Sequence, residues 1–245
     1  MSTRTLSPLL TTPEGVNERL RQTGYAVLGR DAVALWSGCA LADLDALIPG
    51  WNDLPPDQHL KDGGHYRRRR HSCYVVEGGT VVAVPHRSHW QPVEYNALHG
   101  GMERWFEPVL PAVATAPAWQ RLMRALCDAA SGLKGPRPWY VEAHQFRIDT
   151  EGGIGRPTPE GAHRDGVDLV AVFLVARQGI KGGETRVFEA DGPHGQRFTL
   201  TEPWSLLLLD DARVIHESTP IQPLAQGGHR DTLVLTCRAR GFQGQ

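Results

Sequence analysis

The chain of 245 residues has little of what several classes of protein require. Its cysteines are far apart and form no C-x-x-C pair, which argues against a disulfide framework and against a thiolate zinc site. No apolar run approaches the length of a membrane-spanning helix, and the first residues, M-S-T-R-T-L-S-P-L-L-T-T-P-E, contain no apolar segment typical of a signal peptide. We therefore expect a cytoplasmic protein in a reducing environment, without contact to a membrane.

An excess of charge of either sign is also missing. The formal net charge is −1, so no overall field attracts nucleic acid. The run Arg67-Arg68-Arg69-Arg70 has three interpretations: a nucleic-acid patch, a solvated strand edge, or a group that binds the carboxylate of a small substrate. The neutral chain makes the first the weakest. Since side chains alternate along a strand, Arg67 and Arg69 share one face, and we take this pair as candidate substrate-binding residues.

The predicted elements divide the chain into two parts. Helical patterns near residues 12–22, 32–48 and 108–130 dominate residues 1–135, and the G-G pair within C-Y-V-V-E-G-G-T-V-V-A-V-P predicts a hairpin over 73–85. From Trp139 onward, short apolar runs alternate with Gly and Pro turns, which favours a sandwich or barrel. We predict one domain, 1–245, mainly β with flanking helices. Residues 1–135 would then pack on a β-core formed by residues 136–245.

Three polar features fall in the β-rich part. They are the H-R-D of residues 163–165, His216 in V-I-H-E-S-T-P, and Arg230 in H-R-D-T-L-V-L-T. His163 and Asp165 project to the same side of an extended segment, and a jelly roll can fold the strand of His216 back beside them. Two imidazoles and one carboxylate occupy one face of Fe(II) and leave positions open for a co-substrate and O2. Although H-x-D alone is also a common surface turn, the joint pattern predicts that His163, Asp165 and His216 bind iron and form the catalytic centre.

Arg230 fits the next requirement of such a centre. A 2-oxoglutarate co-substrate chelates iron through its keto-acid end, and its far carboxylate needs a cation at the end of the pocket. A guanidinium binds a carboxylate through two parallel hydrogen bonds. Thr232 lies on the same strand face and adds a hydroxyl donor. We therefore predict that Arg230 and Thr232 bind 2-oxoglutarate.

The strand Y-V-E-A-H-Q-F-R-I carries polar residues on both faces. Gln145 and Arg147 share one face, and Glu142 and His144 share the other. An inward Gln145 or Arg147 would bind 2-oxoglutarate or substrate, or support an iron ligand, whereas an outward one would make cross-strand bonds. We predict Gln145 as a 2-oxoglutarate contact. Glu142, Arg147 and Asp168 are candidate substrate contacts.

Several motifs between about Gly64 and Cys237 carry a family resemblance. They are R-R-R-R-H-S-C-Y, E-Y-N-A-L-H-G-G, A-H-Q-F-R, H-R-D, K-G-G-E-T, V-I-H-E-S-T-P and H-R-D-T-L-V-L-T. With these motifs the sequence resembles the Fe(II)- and 2-oxoglutarate-dependent dioxygenases. Within them it is similar to the bacterial free L-amino-acid hydroxylases typified by L-isoleucine 4-hydroxylase.

The resemblance implies a double-stranded β-helix (jelly-roll, cupin-like) core, with the ligands and the anchor at the positions named above. It implies Fe(II), 2-oxoglutarate and O2 as cofactors, and release of succinate and CO2 as an unactivated C–H bond of a small free L-amino acid or derivative is hydroxylated. Halogenating relatives have a small residue in place of the carboxylate ligand, so Asp165 favours hydroxylation. Desaturation, cyclisation and sulfoxidation use the same oxidant and stay open.

Two further functions are compatible with the sequence. The same oxidant can act on a carrier-bound or peptidyl substrate, which the neutral charge does not exclude. A protein of another class, a non-catalytic jelly roll that only holds a metal, is the second. Arg230 and Thr232 argue against it, because a plain metal-binding barrel has no need of a carboxylate anchor.

Overall fold

A computed structural model describes residues 6–244. The helices are α1 (Val16–Thr23), α2 (Arg30–Ser37), α3 (Leu41–Asp45), α4 (Pro111–Ala114) and α5 (Pro117–Lys134), and short 3-10 turns cover Pro13–Gly15 and Ile48–Trp51. The strands are β1 (Tyr25–Leu28), β2 (Arg67–Glu77), β3 (Thr80–Ala83), β4 (Trp139–Asp149), β5 (Leu169–Gln178), β6 (Ile180–Gly182), β7 (Thr185–Glu189), β8 (Gly195–Phe198), β9 (Leu206–Asp210), β10 (Val214–Ser218), β11 (Ile221–Pro223) and β12 (His229–Arg238).

The strands form one large antiparallel sheet and two small ones. The large sheet has seven strands in the order β1-β9-β5-β12-β4-β2-β3, and the smaller sheets are β10-β7-β8 and β11-β6. A layer of this kind, closed by shorter strands on one side, is the jelly-roll arrangement. The predicted fold class, mainly β with flanking helices, is confirmed.

The two faces of the large sheet pack against different partners. On the outer face, Leu233 and Leu235 of β12 share one apolar core with Trp119 of α5. On the inner face, Val170 of β5 joins a second core with Val187 of the smaller sheet. Because side chains alternate along each strand, this assignment also fixes which polar residues face inward.

The helices cover the outer face of the large sheet. α5 is an 18-residue helix that buries one side, including Trp119, Leu122 and Leu126. Within residues 6–244, no single helix is long and apolar enough to cross a membrane. The bent pair formed by residues 30–37 and 41–51 reaches that length and apolarity only when its two arms are counted together.

Two predicted elements differ from the structure. The predicted helix over 32–48 is broken, because Gly38 adopts a left-handed φ of 66° and ends α2. The hairpin forms as predicted around Gly78 and Gly79, with φ values of 55° and 77° and Glu77 paired with Thr80. Its first strand, however, begins at Arg67 and not at Cys73, so the arginine run lies inside β2.

Candidate active site

The predicted metal ligands meet at the edge of the three-stranded sheet β10-β7-β8. His216 lies in β10 and pairs with His163 in an isolated antiparallel bridge. In this bridge each amide nitrogen lies 3.0 Å from the carbonyl oxygen of the other residue. One candidate ligand atom from each of His163, Asp165 and His216 lies within 4.8 Å of the other two. The fold thus brings the three side chains together from two distant segments.

The imidazole of His163 is oriented by the backbone carbonyl of a residue two positions earlier. Its Nδ1 lies 2.9 Å from the carbonyl oxygen of Gly161, and because a carbonyl only accepts, Nδ1 carries the proton. Nε2 then offers its lone pair toward Asp165, whose Oδ1 is 3.8 Å away. Burial disfavours a charged imidazole, but Asp165 and then Glu160 outweigh it and raise the pKa of His163. This position therefore attracts positive charge, as a metal site must.

Asp165 is held in place by a second carboxylate, that of Asp211. This carboxylate accepts hydrogen bonds from three consecutive backbone N–H groups, those of Asp165, Gly166 and Val167, at 2.9, 2.7 and 3.1 Å. Gly166 has a φ of 76°, and a Cβ there would lie 2.4 Å from the Tyr95 ring. Burial, and then the charge of Asp165, raise the pKa of Asp211 to about 6. Asp211 fixes the turn that aims the Asp165 carboxylate.

The donor set fits Fe(II). Burial, and then the neighbouring His163, lower the pKa of His216, so its imidazole stays neutral. Its Nε2 lies 3.9 Å from Oδ2 of Asp165. Two imidazole nitrogens and one carboxylate oxygen on the same side of a centre are the ligands that non-haem iron takes in its facial triad. His163, Asp165 and His216 would hold the ion and leave its remaining positions facing the cavity.

Arg230 lines the same cavity as the triad. It is 5% exposed, and burial, followed by the charge of Arg177, lowers its pKa to about 10. The neighbouring Asp231 bonds Arg147 instead, at 2.8 and 2.7 Å. In the described chain no carboxylate forms an ion pair with Arg230, so a buried cation faces the cavity ready for an anion. Thr232, two residues further along β12, lines the cavity beside it.

A second group of potential ligands lies beside the same cavity, which three of its members, His89, Glu142 and His144, line. His71, His89, Glu142 and His144 also bring one candidate atom each within 4.8 Å of one another. Here, however, His71 Nε2 and His89 Nδ1 lie 2.8 and 2.7 Å from one oxygen, Oε2 of Glu142. Arg69 donates to Nδ1 of His144 at 2.7 Å, which places the proton of that imidazole on Nε2. We name these four residues the Glu142 cluster and interpret it as hydrogen-bonded rather than metal-binding.

The hydrogen bonds keep Glu142 ionised. Burial opposes the charge, but His89 and His71 outweigh it and hold the pKa of Glu142 well below its usual range. Both donated protons go to Oε2, and Oε1 accepts no hydrogen bond from residues 6–244. Because Glu142 also lines the cavity, Oε1 presents a negative charge there.

Arg67 and Arg69 line the cavity, as expected for the inward pair of β2. Both are occupied by Asp57: Arg67 Nε lies 2.7 Å from Asp57 Oδ2, and Arg69 Nη1 lies 3.9 Å from it. The guanidinium of Arg69 also stacks 3.8 Å above the ring of Phe106 and 4.5 Å from that of Phe146. These two arginines form a fixed cationic wall.

Gln145 and Arg147, the predicted co-substrate and substrate contacts, lie away from the cavity. Both lie on the outer face of β4, where Gln145 Nε2 donates to the carbonyl oxygen of Gly50 at 3.3 Å and Arg147 pairs with Asp231. Neither residue lines the cavity. The inward face of β4 carries Glu142 instead, because the alternating apolar residues of the strand turn the other face toward the helices.

Asp168, a predicted substrate contact, is bonded to residues outside the cavity. Its Oδ1 accepts a hydrogen bond from Lys134 Nζ at 3.0 Å, and its Oδ2 accepts one from the amide of Ala239 at 2.8 Å. These bonds tie the start of β5 to the end of α5 and to the residue that follows β12. Asp168 is therefore a structural residue, outside the cavity lining.

Sequence reasoning missed several polar residues of the cavity. They come from irregular segments, one between β3 and α4 and one between β4 and β5: Gln91, Asn96 and Arg104 in the first, and Glu160 in the second. Asn96 lies in E-Y-N-A-L-H-G-G, one of the motifs that carry the family resemblance, and Glu160 lies three residues before His163. Gln91 and Arg104 stand in irregular segments whose pattern gives no sign of which side chains turn inward.

Comparison with known proteins decides the family. The model of the 2OG-Fe dioxygenase family matches residues 49–236, which include the triad and Arg230. The chain belongs to the 2OG-Fe dioxygenase family. The cofactors of this family, Fe(II), 2-oxoglutarate and O2, are those that the sequence predicts, and the His163, Asp165 and His216 cluster is where its iron fits. When bound, the iron supplies activation of O2 by oxidative decarboxylation of 2-oxoglutarate.

Solved structures of other 2OG-Fe dioxygenases and related proteins agree with this fold. A bsmA homolog from Methylobium petroleophilum PM1 is 54% identical, with a TM-score of 0.92 and coverage of 97% of both chains. IDO from Bacillus thuringiensis is 17% identical, with a TM-score of 0.76 over 94% of this chain and 100% of that one. The Fe(II)/(alpha)ketoglutarate-dependent dioxygenase TqaL is 20% identical, with a TM-score of 0.71 over 95% and 88%. At these lower identities the last two share the fold. No curated protein matches the chain.

Proposed function

We propose that this dioxygenase hydroxylates an unactivated C–H bond of a small free L-amino acid or a close derivative. The observation that carries the proposal is the charge pattern of one buried cavity. The metal triad shares this cavity with an ionised carboxylate, that of Glu142, and with buried arginines. A zwitterion offers a charge of the opposite sign to each of these groups, so it compensates both buried charges at once.

Arg230 and Thr232 would bind the co-substrate. In this proposal the Arg230 guanidinium grips the far carboxylate of 2-oxoglutarate, and the Thr232 hydroxyl donates a further hydrogen bond. Both residues lie on β12 and line the same cavity as the triad. The keto-acid end would then approach the ion held by His163, Asp165 and His216.

Glu142 would bind the ammonium group of the substrate. Its Oε2 is already saturated by His71 and His89, so Oε1 is the free acceptor. An acceptor that is ionised and fixed before the substrate arrives loses little conformational freedom on binding. Arg67 and Arg69, which are held by Asp57, would shape this end of the cavity and add positive potential.

The proposal includes a cytoplasmic location. All four cysteines, Cys39, Cys73, Cys127 and Cys237, are free and buried. Free thiols are typical of a reducing compartment, which also keeps iron in the ferrous state.

A coupled assay tests the substrate class. The protein is supplied with Fe(II), 2-oxoglutarate and O2, and succinate release is measured across the twenty free L-amino acids, their carboxamides and their N-acetyl derivatives. We expect one or a few free amino acids to stimulate succinate release and to gain the mass of one oxygen atom. The Asp165→Ala variant is the inactive control. Stimulation by the carboxamides or the N-acetyl derivatives alone would overturn the free-amino-acid proposal. A loss of two hydrogens would indicate desaturation or cyclisation instead.

A further inference from the structure

We propose that Arg104 is the residue that binds the carboxylate of the substrate, and that Gln91 connects this anion site to the metal ligand Asp165 by hydrogen bonds. The inference rests on the proposed function, because it takes the substrate to be an amino acid. It adds a binding residue and a positioning residue that the sequence did not reveal.

Arg104 is a buried cation without a carboxylate partner. It is 2% exposed, and burial, followed by the charge of Arg67, lowers its pKa to about 10. In the described chain its side chain makes one hydrogen bond, from Nη2 to Oε1 of Gln91 at 3.0 Å, and its Nε is buried with no partner. The residue lines the cavity. A buried guanidinium in this condition is stabilised by an anion that enters from the cavity.

The backbone holds Arg104 beside the ammonium acceptor. Arg104 and His89 form an isolated antiparallel bridge, with N–H···O distances of 2.9 and 3.0 Å. His89 in turn bonds Glu142 at 2.7 Å. One bridge therefore sets the positions of Arg104 and of His89, and His89 in turn orients the Glu142 carboxylate. A zwitterion with adjacent ammonium and carboxylate groups suits two opposite charges fixed in this way.

The other cavity arginines are either paired with a carboxylate or too far from Glu142. Arg67 and Arg69 both face Asp57. Arg230 lies on β12 opposite Ile148, whereas Glu142 is opposite Thr236 in the same strand pair. Since residues in a strand are about 3.3 Å apart, Arg230 and Glu142 are separated by roughly 20 Å along the sheet, too far to share one amino-acid backbone. Arg104 is the remaining buried guanidinium among the cavity residues that the structure describes.

Gln91 has a fixed orientation that links Arg104 to the metal site. Its Oε1 accepts hydrogen bonds from Arg104 Nη2 at 3.0 Å and from Asn96 Nδ2 at 3.1 Å. Two donors on one atom identify that atom as the oxygen, so the amide nitrogen faces the other way. Nε2 then donates to Oδ1 of Asp165 at 3.3 Å. A carboxylate that draws the Arg104 guanidinium toward itself changes the hydrogen bond that Gln91 gives to the metal ligand.

Binding measurements on loaded, oxygen-free protein test both parts. The ligands are L-isoleucine, L-leucine and L-methionine, each compared with its carboxamide, on protein that holds Fe(II) and 2-oxoglutarate. Affinity is measured by titration calorimetry, and the visible Fe(II)–2-oxoglutarate absorption band reports on the metal site. The variants are Arg104→Gln, Arg104→Lys and Gln91→Leu. Arg240→Gln, which changes an exposed arginine, is the matched control.

The expected results differ for the two residues. Arg104→Gln weakens binding of the best free amino acid about 10- to 100-fold, the range for loss of a charged hydrogen bond, and leaves the already weak binding of its carboxamide unchanged. Arg104→Lys retains part of the affinity. Gln91→Leu retains affinity within about threefold but abolishes most of the shift of the absorption band that the amino acid causes. Arg240→Gln behaves as wild type.

The contrary results are equally distinct. If the wild type binds acid and carboxamide alike, or if Arg104→Gln binds the acid as wild type does, the Arg104 assignment is wrong while amino-acid-stimulated turnover still supports the proposed function. An unchanged band shift in Gln91→Leu overturns the role of Gln91 alone. If no free amino acid binds or stimulates succinate release in wild type, the proposed function fails and this inference fails with it. Thermal unfolding of each variant identifies one that does not fold, and Arg104→Lys then decides the assignment.

Discussion

Two clusters of histidines and a carboxylate lie at one cavity, and they differ in how closely their ligand atoms approach one another. In the triad, the Asp165 oxygens lie 3.8 Å from His163 Nε2 and 3.9 Å from His216 Nε2. In the Glu142 cluster, one oxygen lies only 2.8 and 2.7 Å from two imidazole nitrogens. Ligand atoms about 2.1 Å from a metal are roughly 3.0–3.5 Å apart, so the first set leaves room for an ion and the second does not.

The comparison teaches that residue type alone does not define a metal site. Both sets contain imidazoles and a carboxylate, and every member of both is buried or partly buried. The two sets differ in which ring nitrogen carries the proton. A backbone carbonyl accepts a hydrogen bond from Nδ1 of His163 and so leaves Nε2 free to bind a metal. Arg69 donates to Nδ1 of His144, so the proton of that ring is on Nε2, on the side of Glu142. The triad is arranged to receive a cation from solution, and the Glu142 cluster satisfies its own carboxylate.

The largest difference is expected in iron content. Asp165→Ala removes a ligand and the charge that attracts the metal, and we expect bound iron to fall from about one equivalent to near zero, with turnover reduced at least about 1,000-fold. His71→Gln, in the Glu142 cluster, should retain the full equivalent. Elemental analysis after iron loading and desalting measures both. A second equivalent of metal in wild type that disappears in His71→Gln would reverse our interpretation of that cluster.

Arg230→Ala should separate co-substrate binding from metal binding. Loss of the buried cation removes the partner of the far carboxylate of 2-oxoglutarate, and we expect its KM to rise about 100-fold, the upper range for a charge-assisted interaction. Iron content should stay at the wild-type value. Steady-state kinetics with 2-oxoglutarate as the varied substrate provides the measurement. An unchanged KM would show that the anchor lies elsewhere.

Glu142→Gln should act on the substrate and leave the co-substrate unaffected. The amide keeps the size of the side chain but loses the charge that Oε1 offers to an ammonium group. We expect the KM for the amino acid to rise about 10- to 100-fold, with the KM for 2-oxoglutarate within about twofold of wild type. The matched outer-face variant Arg147→Gln should change neither constant. Equal effects of the two variants would remove Glu142 from the substrate site.

The Glu142 cluster should also make stability depend on pH. Burial lowers the pKa of His89 from 6.5 to about 4, so the unfolded chain takes up its proton first as the pH falls. The contribution of the neutral imidazole is complete above pH 6.5 and is lost progressively toward pH 4, by up to about 3 kcal/mol. Urea unfolding between pH 7.5 and 4.5 tests this. His89→Gln should give a flatter profile, and parallel profiles would contradict the assignment.

The sequence predicts the triad and Arg230 because their chemistry depends on residue type and order along the chain. Alternation also separates the two faces of β4 correctly, but it does not state which face turns inward, and the structure has Gln145 and Arg147 on the outer face. A signal was present: Val141 and Ala143 share the face of Gln145, and an apolar face packs against helices. The pairing of Asp168 could not be predicted, because its partner, Lys134, is distant in sequence.

The loop residues could not be predicted in the same way. Gln91 and Arg104 lie in segments without periodicity, and their inward direction depends on bonds such as the Arg104–His89 bridge, which joins two irregular segments. The end of α2 was predictable in principle, since Gly38 is the residue that a left-handed helix terminus prefers. The apolar residues beyond Gly38 continue the helical spacing, so the pattern alone extends the predicted helix past this glycine.

The main-chain bridge between His163 and His216 has a consequence for metal selectivity. Because the amides of the two ligands bond each other, folding itself assembles the coordinating set, and the ion need not organise it. A preassembled pocket of two imidazoles and one carboxylate follows the general affinity order of divalent metals, in which cobalt, nickel and copper bind more tightly than ferrous iron. Occupancy by iron therefore reflects which metals the cell makes available, and the same pocket is open to inhibition by the later transition metals.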